Sequence, residues 1–133
     1  MRALVLDCTL DGRSEHAVCS DLRSWGVNVD CLPATDVPVS VEEYSVLVVL
    51  TPSWLGQPSR LAQRVLSQLP SANRTTVAGV VALSELAEGQ WMRTTLSWHL
   101  WNLGYTVPVR PTAAYFVRTA IQARRNRALT ATG

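Results

Sequence analysis

Five consecutive apolar residues, Val46–Leu50 in the stretch SVLVVL, constrain this chain more than any other feature. In a strand, neighbouring side chains point to opposite faces. A run with no polar interruption must therefore be covered on both sides, as in the middle of a parallel sheet. Two further runs read the same way: RALVLD (Arg2–Asp7) and TVAGVVAL (Thr76–Leu83). VNVDCL (residues 27–32) alternates, and YTVPV (residues 105–109) is a short strand with Pro108 marking an edge or an end.

Helical patterns separate these runs. SEHAVCSDLRSWG has Ser14 as N-cap and Gly26 as stop, and residues 59–69 place Leu61, Val65 and Leu69 on one side. EGQWMRTTLSWHLWNLG ends at Gly104, and AAYFVRTAIQARRNRAL closes the chain. PATDVPVSVEEY is too short to hold a helix with its connections. Strands alternating with helices predict βαβ units and a parallel sheet. With 133 residues the chain has room for one domain, 1–133. The expectation is an α/β three-layer, flavodoxin-like sandwich: five parallel strands in the order 2-1-3-4-5, helices on both faces. A ligand in such a fold lies at the carboxyl ends of strands 1 and 3. Two loops are thereby singled out, CTLDGRS and TPSWLGQPS.

The stretch TPSWLGQPSRLAQRVL resembles the loop and helix after strand 3 of the flavodoxin-like NAD(P)H-dependent FMN oxidoreductases, which often carry T-P-I-W-L-G-Q-P-S there. NLGYTVP (Asn102–Pro108) resembles the same family. The resemblance implies FMN as cofactor, with Pro52, Ser53, Trp54, Leu55 and Gly56 against the flavin ring. NAD(P)H is the implied hydride donor. Prolines stiffen such a loop, a glycine lets backbone approach a ring, and an indole stacks on it. The phosphate would fall to the loop after strand 1, where Thr9 and Ser14 keep two hydroxyls and Arg13 a cation.

The same loops depart from the family pattern. Asp11 stands at the family's basic position and His16 at its last hydroxyl, and SELAEG (Ser84–Gly89) replaces a glycine-rich loop after strand 4. A carboxylate beside a dianion is repulsive by roughly 1–4 kcal/mol at a few ångströms. A second reading is therefore a flavin-free enzyme of the same fold, performing isomerisation, cyclisation or hydrolysis on a small substrate. His16, Asp11, Glu85 and Glu88 are its acid–base candidates. A third is a non-catalytic interaction protein. It would use the helix bearing Trp91, Trp98 and Trp101; whichever reading holds, that helix is also expected to form a homodimer interface, as tryptophan enrichment at interfaces and the resemblance imply. His99 is expected on the face of that helix that packs on the sheet.

A net charge of +2 without a basic stripe argues against nucleic acid. Arg124, Arg125 and Arg127 read as a solvated helix end. The chain contains no lysine, which excludes a Schiff-base lysine. Cys8, Cys19 and Cys31 are odd in number and lack a C-x-x-C, so neither a disulfide framework nor a zinc ribbon is expected, and no metal site is read. The setting predicted is cytoplasmic, with no membrane segment.

Overall fold

The computed structural model describes residues 1–8, 15–54, 57–58, 60–72, 76–83, 99–108 and 112–132. Its strands are β1 (Arg2–Asp7), β2 (Asn28–Pro33), β3 (Val46–Trp54), β4 (Gln57–Pro58) and β5 (Val77–Leu83). Its helices are α1 (Glu15–Ser24), α2 (Arg60–Gln68), a helical stretch at residues 99–102 (α3) and α4 (Ala113–Thr132).

β1 pairs in parallel with β2 on one side and with β3 on the other, and β3 pairs in parallel with β5. β4 is antiparallel to the end of β3, Ser53 opposite Pro58 and Trp54 opposite Gln57. The expected five-stranded parallel sheet in the order 2-1-3-4-5 is thus corrected. Among the described residues four strands run parallel, β2-β1-β3-β5, and the extra strand is a two-residue return. Where a fifth parallel strand was expected there is one isolated bridge, Val77 to Thr106. Thr106 donates to Thr76 and accepts from Ala78. The next donor along that ladder falls on Pro108, which has no N–H, and the pairing stops.

Alternation sorts the strand residues onto two cores. Leu4 and Leu6 of β1, Leu47 and Val49 of β3, and Ala78 and Val80 of β5 meet α2, Leu100 and Tyr105. Ala3 and Val5, Val46, Val48 and Leu50, and Val77 meet α1 and α4 on the other face. The buried face of α2 is Ala62, Val65 and Leu66, followed by Leu69 beyond its end, while Leu61 is only partly buried. Val65 and Leu69 lie on it as predicted, Ala62 and Leu66 replace Leu61, and the set has the i, i+3, i+4, i+7 spacing a sheet-facing helix needs.

Two glycines close helices as read from the sequence. After α1, Gly26 (φ 79°) donates to Arg23 and Val27 donates to Leu22. After α3, Gly104 (φ 96°) donates to Trp101 and Tyr105 donates to Leu100. Both are Schellman endings, and in each the residue after the glycine shares a core with the residue it bonds. Gly104 is further constrained: a Cβ there would lie 1.7 Å from the Ala72 carbonyl oxygen. Gly79 in β5 serves packing instead. A Cβ at that point would meet the Phe116 ring at 2.7 Å, so the missing side chain is the seat in which α4 rests.

Candidate functional site

The site follows from the order of connections. From β1 the chain passes through α1 to β2, the outer strand on one side. From β3 it passes through α2 to β5, on the other side. α1 and α2 therefore cover opposite faces, and they diverge at the carboxyl ends of β1 and β3. A crevice at such a switch point is where open α/β sheets bind ligands.

Its walls are unequal in height. Asp7, the last residue of β1, pairs with Leu50, and Cys8 adds one more bond to the Leu50 carbonyl at 2.9 Å. β3 continues four residues further, to Trp54, paired with β5 as far as Pro52 opposite Leu83. It then folds back on β4. The predicted loop TPSWLGQPS is thus largely strand: Pro52, Ser53 and Trp54 stand on a paired ledge above the end of β1. Thr51 at its base is fully buried. Cys8, 2 % exposed, packs under the α2 core; burial, helped by the neighbouring Asp7 charge, pushes its thiol up to about 11. It is a packing residue at neutral pH, not a nucleophile.

Of the other predicted site residues, His16 lies in the first turn of α1. Thr9, Asp11, Arg13, Ser14, Leu55, Gly56, Glu85 and Glu88 lie outside the described residues, as do Trp91 and Trp98. Trp101 is 45 % exposed. His99 is exposed rather than packed on the sheet, and its Nε2 lies 3.1 Å from the Leu66 carbonyl in the last turn of α2. It reaches one of the carbonyls that a helix end leaves without an internal donor. Residues that sequence reasoning passed over are Asp7 at the foot of the crevice and the Gln57–Pro58 return. The second proline, six residues after the first, was the available signal for that return.

The opposite end of the sheet is differently built. Arg2 bonds Asp30 and Glu43 and lies over the Tyr44 ring, and Tyr44 donates to Asp30 at 3.0 Å. The hydrogen bond from Tyr44, then that from Arg2, holds the Asp30 carboxyl below its ordinary value. A hollow of about 490 Å³ lies nearby between Val39, Glu42, Pro70 and Thr76, far from the switch point. The Thr76 hydroxyl there already donates to the Tyr44 carbonyl at 3.1 Å. Among the described residues no cluster of three or more histidines, cysteines or acids is placed to hold a metal, and no helix is long and apolar enough to cross a membrane.

The architecture is that of the flavodoxins. A short-chain flavodoxin associated with a non-canonical PDU bacterial microcompartment superposes with a TM-score of 0.65 at 18% identity, over 95% of this chain and 98% of that one. A flavodoxin from the domain Archaea gives 0.64 at 13%, over 93% and 99%. A Fusobacterium nucleatum flavodoxin bound to flavin mononucleotide gives 0.58 at 15%, over 80% and 68%. No protein-family profile and no curated protein matches the sequence. The fold is flavodoxin-like; at these identities the likeness extends to the fold alone.

Proposed function

We propose that this chain binds FMN in the crevice between β1 and β3 and acts as a flavodoxin-like redox protein, with NAD(P)H as electron donor. One observation carries the reading: the four-residue overhang of β3, braced by β4, at the switch point where α1 and α2 part. A paired ledge presents a flat backbone edge at little further entropic cost. The flavodoxin structure with bound flavin mononucleotide supports the choice of ligand.

The residues present fit such a group unevenly. Pro52, Ser53 and Trp54 would face the ring, with Leu55 and Gly56 completing the wall. The phosphate would sit ahead of α1, near Thr9, Arg13 and Ser14. A helix N-terminus favours an anion there, whereas Asp11 and Glu15 oppose it. When bound, FMN supplies one- and two-electron transfer; the chain orients the ring and limits its contact with water. The exposed Trp101 supports a homodimer through the helix that bears it.

Titration of the purified protein with FMN tests the reading. We expect quenching of flavin fluorescence with a Kd on the order of 1 µM, about −8 kcal/mol, NADH or NADPH oxidation by the loaded protein, and a dimer mass in sedimentation. No binding up to roughly a hundred times that concentration would overturn this reading and leave the other two: a flavin-free enzyme with His16, Asp11, Glu85 and Glu88 as acid–base candidates, or a non-catalytic interaction protein.

A further inference from the structure

Two thiols outside the proposed site meet across its first helix. Cys19 of α1 and Cys31 of β2 have their Sγ atoms 2.8 Å apart, and neither is disulfide-bonded. Both belong to the core layer under α1: Cys19 lies in it with Leu22, and Cys31 packs against it beside Val29. Cys19 is 1 % exposed, whereas Cys31 is only half-buried, because β2 is the outer strand of the parallel array. The odd cysteine count hid this pair. Its signal was positional, a cysteine on the inward face of a helix and another at an inward position of the next strand.

We propose that Cys19 and Cys31 are a reversible dithiol–disulfide site, oxidised by low-molecular-weight disulfides of the glutathione class. Bonded sulfurs lie about 2.05 Å apart, so closure asks for less than about 1 Å of sulfur movement. The half-buried Cys31 reacts first. Its thiolate attacks one sulfur of the small disulfide, forming a mixed disulfide and releasing one small thiol. Cys19 then loses its proton and attacks Cys31 Sγ, expelling the second small thiol. Two protein thiols are oxidised by two electrons, and one small disulfide is reduced to two thiols. The product ties α1 to the outer strand across the turn at Trp25–Val27.

The test uses the whole chain as purified. Thiols are counted in denaturant before and after incubation with excess oxidised glutathione. The count is expected to fall from three to one and to return to three with dithiothreitol. Peptide mapping is expected to link residues 19 and 31 with the loss of two hydrogens. The thermal midpoint of the oxidised form is expected to rise by about 10 °C, in line with a short bridged loop. In Cys31→Ser the count should stay at two. Three thiols persisting, a stable glutathione adduct, a link involving Cys8, or a disulfide between two chains would each overturn the proposal; the wild-type count reads it even where the variant folds poorly.

Discussion

At the amino ends of the strands, backbone and side chains close on each other. Ser45 donates to Arg2 and Val77 donates to Ser45, Arg2 is held by Asp30, Glu43 and Tyr44, and the buried Tyr105 hydroxyl donates to Pro70 at 2.6 Å. At the carboxyl ends the ladder is stepped: β1 finishes beside Leu50 while β3 rises to Trp54. One end spends its polar groups on itself, and the other presents an edge. Stability and binding should therefore separate between the two ends.

The sharpest way to break that division pairs one substitution from each end. Gly104→Ala places a Cβ against the Ala72 carbonyl at a positive φ, so we expect a loss of at least ~3 kcal/mol in urea unfolding. The folded fraction should still bind FMN. Trp54→Ala is expected to weaken FMN at least about tenfold and to change stability by less than about 0.5 kcal/mol. Equal effects on both readouts from either variant would erase the distinction.

A smaller effect separates the ends by pH. Burial pushes the Tyr105 hydroxyl up to about 12, and burial with Asp7 pushes the Cys8 thiol up to about 11. The unfolded chain gives up each proton earlier, at the ordinary values of 10.0 and 9.0. Their contributions are thus complete below those values and are lost as pH rises through the folded ones. Cys8→Ala should flatten the loss between pH 9 and about 11. Tyr105→Phe should flatten it between pH 10 and about 12. Each change is worth up to about 3 kcal/mol, read from urea midpoints along the alkaline limb.

The smallest effect concerns the exposed pair. Arg2→Ala should lower the thermal midpoint only slightly, and the difference should vanish at high salt, because solvent screens such contacts. The pair's contribution through Asp30 is present above the ordinary carboxylate value and is lost as pH falls through its lowered one. A large difference that survives in ~1 M salt would mean that the cluster is structural in a way its exposure does not suggest.

The central strands were legible because covering both faces leaves no room for polar side chains: Leu47 and Val49 serve one core, Val46, Val48 and Leu50 the other. The stops at Gly26 and Gly104 were legible because few other residues take a positive φ. The fifth strand was overread in length: Pro108 does mark its end, but it follows Thr106 so closely that only a single bridge to Val77 forms. The end of β3 was underread for the mirror reason. Pro52 and Pro58 look like breakers, yet Pro52 falls at the last position of its ladder with β5, and Pro58 lies in a two-residue return. The exposure of His99 was misread because a wheel assigns a face without knowing where the neighbouring helix ends. The predicted acid–base residues rest on side-chain chemistry alone, which names candidates without bringing them together.

The notch at Gly79 has a consequence for how this sequence can change. The Phe116 ring occupies the volume a strand side chain would take, so the two positions share one allotment of space. A larger residue at 79 has room if 116 shrinks, and a smaller one at 116 leaves a void that 79 is placed to fill. Through the lineage of this chain the two should covary as a single size, traded between strand and helix.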